Sequence, residues 1–256
     1  MTQPLPPKLS LCIATPTNNS LVSLTCLRAL LGLQLQCVQR GIGFQLLTTG
    51  SASVLPAARN MLADQFLHQT EATHLLFLDA DMGFEPLELM HMLEFADRDV
   101  VAAVYPSKSF NWAAIASAAR KHPEAPPAEL AEIAGNFDGM VSLPDGATFA
   151  VGREPVEVAT IGTGIMLISR AILLRLAVSP NIPHHIFASK DRTIPAFFEN
   201  GTDAENRYVG EDYIFCQRVR AAGGKIWGCP WLRTTHSGNV DFVGNLGAIV
   251  AAGQGS

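Results

Sequence analysis

The sequence predicts an α/β protein, a three-layer sandwich whose mostly parallel central sheet is covered by helices on both faces. Three observations predict the layered sheet. Short apolar runs alternate with amphipathic helical stretches between Leu9 and Tyr105, the order that builds parallel sheets with short connections. The central runs are apolar throughout, as strands buried on both faces are. The chain has 256 residues, 48% of them hydrophobic, enough for a core of that size.

The elements follow in order. "LSLCIA", Leu9 to Ala14, reads as a buried strand closed by the polar "TPTNN". Leu21, Leu24, Arg28, Leu31, Leu35 and Val38 then fall at three- and four-residue steps, a helix with an apolar face broken only by Arg28. Asn18 to Ser20 offer N-caps and Gly41 a stop. Phe44 to Thr49 is a second strand, and from Pro56 a helix sets Ala58, Met61, Leu62 and Phe66 on one side, with Arg59 and Asn60 near its start. His74 to Asp79 is a third strand, Pro86 to Ala96 a helix and Val100 to Tyr105 a fourth strand. Residues 111–155 read as an Ala- and Pro-rich insertion with two short helices. Order returns with Val156 to Ile161, a strand at Ile165 to Ile168 and a helix to Leu176. Ser179 to Tyr208 is a polar loop, whose Phe197 and Phe198 are candidates to close over a bound ligand. Then comes a helix from Glu211, ended by Gly223 and Gly224. The expected division is one domain with a first half at 9–110, the insertion at 111–155, a second half at 156–244 and a flexible tail at 245–256.

Composition narrows the function classes. The net charge of −5, with 18 Lys and Arg spread along the chain, forms no basic stripe, so nucleic acid is not an expected partner. The five cysteines make no CxxC pair and several sit in apolar runs, which fits a reducing, cytoplasmic setting. No apolar stretch has the roughly 20 residues of a membrane span, which leaves peripheral membrane contact open.

Chemistry concentrates where strands end. "LLFLDAD" closes its apolar run in two carboxylates, Asp79 and Asp81, separated by Ala80. Ligands of parallel sheets gather at strand carboxyl ends, and hard oxygens there suit Mg²⁺ or Mn²⁺ with positions left for phosphate oxygens and water. A turn-forming, helix-capping pair of aspartates is the bland alternative. Glu211 and Asp212 open a helix, where acids are favoured by unsatisfied amides and the dipole; a carboxylate there can also take a proton from a substrate hydroxyl. His236, in "TTHSG", follows the last extended segment.

Taken in order, the Thr-Pro turn, "LPAARN", "LLFLDADM", "GTGIMLISR", "GEDYIFCQR" and "THSG" resemble glycosyltransferases of the GT-A fold, family 2-like. The resemblance runs from Leu9 to about Gly244 and is weakest over the insertion. It implies a nucleotide-sugar donor, a UDP-sugar being the commonest, held by a divalent cation and passed to a hydroxyl of a glycan, lipid or other acceptor. On this chain it implies Asp81 as the main metal ligand, Asp79 on the ribose or a metal-bound water, and His236 completing the metal site. Ala80 lies within the same motif. Thr15 and Pro16 would line the base and Arg59 would brace the donor side. Asp212 would act as base in an inverting enzyme or position the acceptor in a retaining one, with Glu211 orienting the acceptor. Thr163 and Gly164 would line the acceptor and sugar site, and Trp227 or Trp231 would offer a stacking face or belong to the core.

Two rival readings remain. A haloacid-dehalogenase-type phosphatase also ends an apolar strand in DxD, but normally with Thr or Val where this chain has Gly83, and on the first strand. A catalytically silent nucleotide-sugar binding module would keep every motif and lose turnover.

Overall fold

The computed structural model describes residues 9–50, 54–121, 123–144, 147, 152–186, 192–247 and 249. The chain begins with β1 (Ser10–Pro16), α1 (Leu24–Gln39), β2 (Gly43–Thr49), α2 (Leu55–Gln69) and β3 (His74–Leu78). A short β4 (Met82–Phe84) follows the aspartates, then α3 (Pro86–Leu93) and β5 (Val100–Ala103). β6 (Ser107–Phe110) precedes the insertion, which holds the two expected helices α4 (Trp112–Lys121) and α5 (Pro127–Glu132) and the two-residue strands β7 (Gly135–Asn136) and β8 (Val141–Ser142). Beyond it lie β9 (Val156–Val158), β10 (Thr160–Ile161), β11 (Ile165–Ser169) and α6 (Arg170–Ala177).

The loop expected at 179–208 contains two small antiparallel pairs: β12 (His184–Ile186) with β13 (Thr193–Pro195), and β14 (Gly201–Thr202) with β15 (Tyr208–Val209). The chain continues through α7 (Glu211–Ala221), β16 (Ile226–Cys229), β17 (Thr234–Ser237) and β18 (Asp241–Gly244). Of the expected tail, Leu246 is buried and the Gly247 amide donates to the Pro230 carbonyl at 2.9 Å. Residues 248 and 250–256 lie outside the described residues.

The central sheet has seven strands in the order β2-β1-β3-β11-β5-β16-β9. β1, β2, β3, β5 and β16 run one way; β11 and β9 run against them. Because successive side chains of a strand point to opposite faces, each buried strand feeds two cores. Leu11 and Ile13 of β1, with Leu76 and Leu78 of β3, pack beneath α1 and α3. Cys12 and Ala14, with Leu75 and Phe77, pack beneath α2, α6 and α7. That is the three-layer α/β arrangement expected.

Two local outcomes differ from expectation. α1 starts at Leu24, with the Ser23 hydroxyl accepting from the Cys26 amide. Residues 17–22 form a loop instead, because Asn19 and Ser20 adopt left-handed backbone (φ 55° and 57°) that a helix does not tolerate. α1 also turns the small face of Cys26, Ala29, Leu33 and Cys37 inward and leaves its leucine face in solvent. The reason is close approach: a Cβ at Gly32 would lie 2.5 Å from Cγ of Pro86, at the start of α3, so bulky side chains do not fit between these helices. The second difference is Phe197 and Phe198. Both are fully buried, Phe198 stacking on Phe215 with ring centroids 4.5 Å apart, so they belong to the core and not to a lid.

Candidate functional site

The direction of β11 decides what meets at the strand ends. Running against β3, it sets Ile165 opposite Leu78, so the preceding Gly162, Thr163 and Gly164 reach the tip of β3. There the Asp79 amide donates to the Gly164 carbonyl at 2.9 Å. Tyr105, just past β5, lies over the two glycines: a Cβ at Gly162 would fall 2.2 Å from its hydroxyl oxygen, and one at Gly164 2.8 Å from Cζ. The Gly164 amide donates to the Tyr105 hydroxyl at 3.2 Å.

Asp79 and Asp81 then part company. Arg59, from α2 and 2% exposed, reaches Asp79 with Nη2 donating to Oδ2 at 3.0 Å; Nη1 stands 2.9 Å from Oδ1 without hydrogen-bond alignment. Its Nε donates to Glu211 Oε1 at 3.3 Å. Burial alone would lower the Arg59 pKa, but Asp79 and Glu211 outweigh it and raise it. The guanidinium therefore ties the end of β3 to the start of α7. The neighbouring Asn60 clamps Phe198, its side chain exchanging two 2.8 Å bonds with that residue's amide and carbonyl.

Asp81 faces the other way. Its Oδ2 accepts from Lys108 Nζ at 2.5 Å and lies 3.5 Å from His236 Nε2. His236 arrives there because β17 pairs antiparallel with β4, setting it opposite Met82, the residue after Asp81. Its Nδ1 is 2.9 Å from the Pro106 carbonyl, and only an N–H can make that bond, so Nε2 is left turned toward the carboxylate. Burial pushes the Asp81 pKa up, yet the hydrogen bonds and charges of His236 and Lys108 bring it down to about 2. Between the aspartates, Ser23 and Ser237 amides each donate at 2.8 Å, to the Ala80 and Asp81 carbonyls. Ser23, Thr25, Ser237 and Asp241 form a hydroxyl chain with links of 2.8, 2.5 and 2.7 Å across the same place.

Asp212 sits in the first turn of α7, after the N-cap Gly210, and Oδ1 accepts from the Tyr213 amide at 2.8 Å. Burial foremost, and the adjacent Glu211 charge next, push its pKa up to about 6. That is the range in which a carboxylate exchanges protons near neutral pH. The buried Tyr105 phenol is within electrostatic reach of both Asp79 and Asp212, which add to the burial that raises its pKa.

A cavity of about 570 Å³ opens beside the aspartates, walled by Pro16, Asn18, Val22, Leu55, Asp79 and Asp81. Thr15 is buried behind Pro16, and among the described residues neither its hydroxyl nor that of Thr163 has a hydrogen-bond partner. Trp227 is not brought here. It lies in β16 opposite Val101, with the Arg98 guanidinium 3.8 Å from its ring centroid, toward the far end of the strands. Trp231 is buried beside His91. The sequence also sets Tyr105 and Lys108 just past the fourth strand, where ligands gather, but gives neither a particular role.

The donors present fit a divalent cation in part. Asp81 and His236 offer one hard oxygen and one imidazole nitrogen facing each other, with the second imidazole nitrogen anchored as metal-ligating histidines require. Asp79 is turned toward Arg59. Among the described residues, no group of three or more His, Cys, Asp or Glu is gathered for a metal, so phosphate oxygens and water would fill the remaining positions.

No protein-family model matches the chain, and no curated protein does either. Among solved structures it is similar to A197 from STIV, with TM-score 0.48 and 16% identity over 90% of this chain and 86% of that one. It is also similar to a glycosyltransferase involved in the glycosylation of the major capsid of PBCV-1, with TM-score 0.31 and 10% identity over 64% and 62% of the two chains. With TarS 1-349 from S. aureus the TM-score is 0.38 and the identity 14%, over 86% and 58%. No helix among the described residues is long and apolar enough to cross a membrane.

Proposed function

We propose that the chain is a metal-dependent glycosyltransferase of the GT-A type, moving a sugar from a nucleotide-diphosphate sugar, a UDP-sugar in the first instance, to an acceptor hydroxyl. The observation that carries this reading is the split of the DxD pair: Asp81 faces His236 beside an open cavity, while Asp79 is tied through Arg59 to Glu211. In this reading 9–110 is the nucleotide-binding half and 156–244 the acceptor half of one domain. Asp81 and His236 would hold Mn²⁺ or Mg²⁺, which when bound would supply positive charge against the departing diphosphate.

The remaining work belongs to the chain. Pro16, Leu21, Val22 and Leu55 give the cavity apolar walls for the base. Lys108, its side chain 43% exposed on a flexible stem, would be free to turn from Asp81 to a bound diphosphate once a cation took its place. Asp212 accepts the proton of the acceptor hydroxyl, its raised pKa matching that task. Arg59 fixes the distance between the donor and acceptor sides.

The test is a panel of sugar nucleotides incubated with Mn²⁺, Mg²⁺ or a chelator, read by nucleotide diphosphate release. One donor is expected to be hydrolysed or transferred with metal and not with chelator. Binding without release from any donor would favour the silent module. Lys108 favours a second reading, in which its ammonium stands in for the metal; turnover that survives the chelator and vanishes in Lys108→Met would select it.

A further inference from the structure

A second cavity, of about 300 Å³, lies across the small sheet of β4, β17 and β18 from the aspartates. Gly83 of β4 and Thr235 of β17 stand opposite each other in register. Because successive strand residues face opposite ways, Thr235 looks toward α1 while His236 looks toward Asp81. α1 comes close at two points: a Cβ at Gly83 would fall 3.0 Å from Cβ of Thr25, and one at Gly32 would fall 2.5 Å from Cγ of Pro86. Between those contacts α1 presents Arg28 and Ala29, and the cavity opens there.

The charge of the lining points to its ligand. Arg28, the residue that interrupts the apolar face of α1, lines the cavity from one side and Arg233 from the other. Among the described residues the Arg28 side chain makes no hydrogen bond or ion pair. Arg233 is set in place by its amide, which donates to Glu88 Oε2 at 2.7 Å. Glu85 and Pro86, at the N-terminal end of α3, complete the rim, and the free amides of a helix start carry partial positive charge. Glu85 is the one carboxylate in the lining; it is exposed, and its side chain does not cap α3. Two guanidinium groups and a helix end against one solvated carboxylate favour an anion. Guanidinium forks match phosphate oxygens, and the Thr235 hydroxyl is a further donor. Ala29, Phe84 and Pro86 add an apolar wall suited to the carbon part of an ester, in a volume at the lower end of the range that ligand cavities have, about 300–1,000 Å³.

We propose that this cavity is a binding site for a phosphate group, free or as the monoester of a small molecule, held by Arg28 and Arg233. Calorimetry with inorganic phosphate and with glycerol 3-phosphate, in buffer without divalent metal, tests it. The wild type is expected to bind one equivalent. Arg28→Gln, at an exposed position, is expected to weaken binding by about tenfold or more, the loss of one charge-assisted contact, with the melting temperature unchanged. Arg28→Lys is expected to recover part of that loss. Lys108→Met, which removes the ammonium beside Asp81, is expected to bind phosphate as the wild type does. Tighter binding of glycerol 3-phosphate would assign the site to an ester and tighter binding of inorganic phosphate to the free ion, and either upholds it. No binding of either anion, binding that Arg28→Gln leaves intact, or binding that Lys108→Met abolishes would overturn it. Neither a sugar nucleotide nor a divalent cation enters the measurement, so its outcome is separate from that of the glycosyltransferase reading.

Discussion

Asp79 and Asp81 leave the same strand two residues apart, and their surroundings differ in kind. Asp79 faces a buried guanidinium that it shares with Glu211, and its amide is bonded to the neighbouring strand's entry turn. Asp81 faces an imidazole and an exposed ammonium at the rim of a cavity. The difference teaches that a DxD pair need not act as a unit: one carboxylate is built into the frame, the other is left available to a ligand.

The comparison breaks first on the framed side. Arg59→Leu leaves Asp79 and Glu211 without their shared cation, and removing one partner of a buried ion pair costs about 3–5 kcal/mol. Denaturant unfolding is expected to show a loss of that size together with loss of turnover. An unchanged midpoint would mean that the pair is solvated and Arg59 is not structural.

Next comes the proposed acceptor side. Asp212→Asn is expected to lower turnover by about 10²–10⁴ with donor affinity retained, measured by steady-state kinetics and calorimetry on one preparation. The pH dependence follows from the same group. A base works deprotonated, so with the pKa raised to about 6, kcat/KM should fall as pH drops through 6 and level off above it. Glu211→Gln removes one cause of the upward shift, and the acid limb of the profile should move to lower pH. A limb that stays in place would assign it to another group.

The smallest effect is expected from Lys108→Met. Its pair with Asp81 is solvent-exposed, and such pairs contribute about 0–1 kcal/mol. Stability should hardly change, while Mn²⁺ affinity should rise a few-fold because a competing cation is gone. Weaker Mn²⁺ binding in this variant would argue that Lys108 supports the cation site.

These side chains also mark how far the sequence could be read. The strand order up to Tyr105 was legible because β1, β3 and β5 are apolar on both faces, a pattern set by burial alone. The strand at Ile165 was legible too, but its direction was not. β11 inserts antiparallel between β3 and β5, and pairing between residues so distant in sequence leaves no local trace. The packed face of α1 was misjudged because both faces are apolar; close approach at Gly32 selects the smaller side chains, and spacing does not encode that distance. At the site, Asp79, Asp81, Glu211 and Asp212 were legible as charged interruptions at element ends, whereas His236, expected after the last extended segment, lies inside β17 and is followed by β18. Arg59 as the bridge between two motifs was not, since its partners lie 20 and 152 positions away. Trp227 carried no sign that Arg98 would cover its ring.

The claim on which the rest depends is that Asp81 holds the cation while Asp79 holds the frame. Titration of UDP into the Mn²⁺-loaded protein by calorimetry tests it most directly, comparing wild type with Asp81→Asn. Metal-dependent affinity is expected in the wild type and its loss in Asp81→Asn, with the melting temperature of that variant unchanged. Equal Mn²⁺-dependent affinity in both proteins would contradict the account.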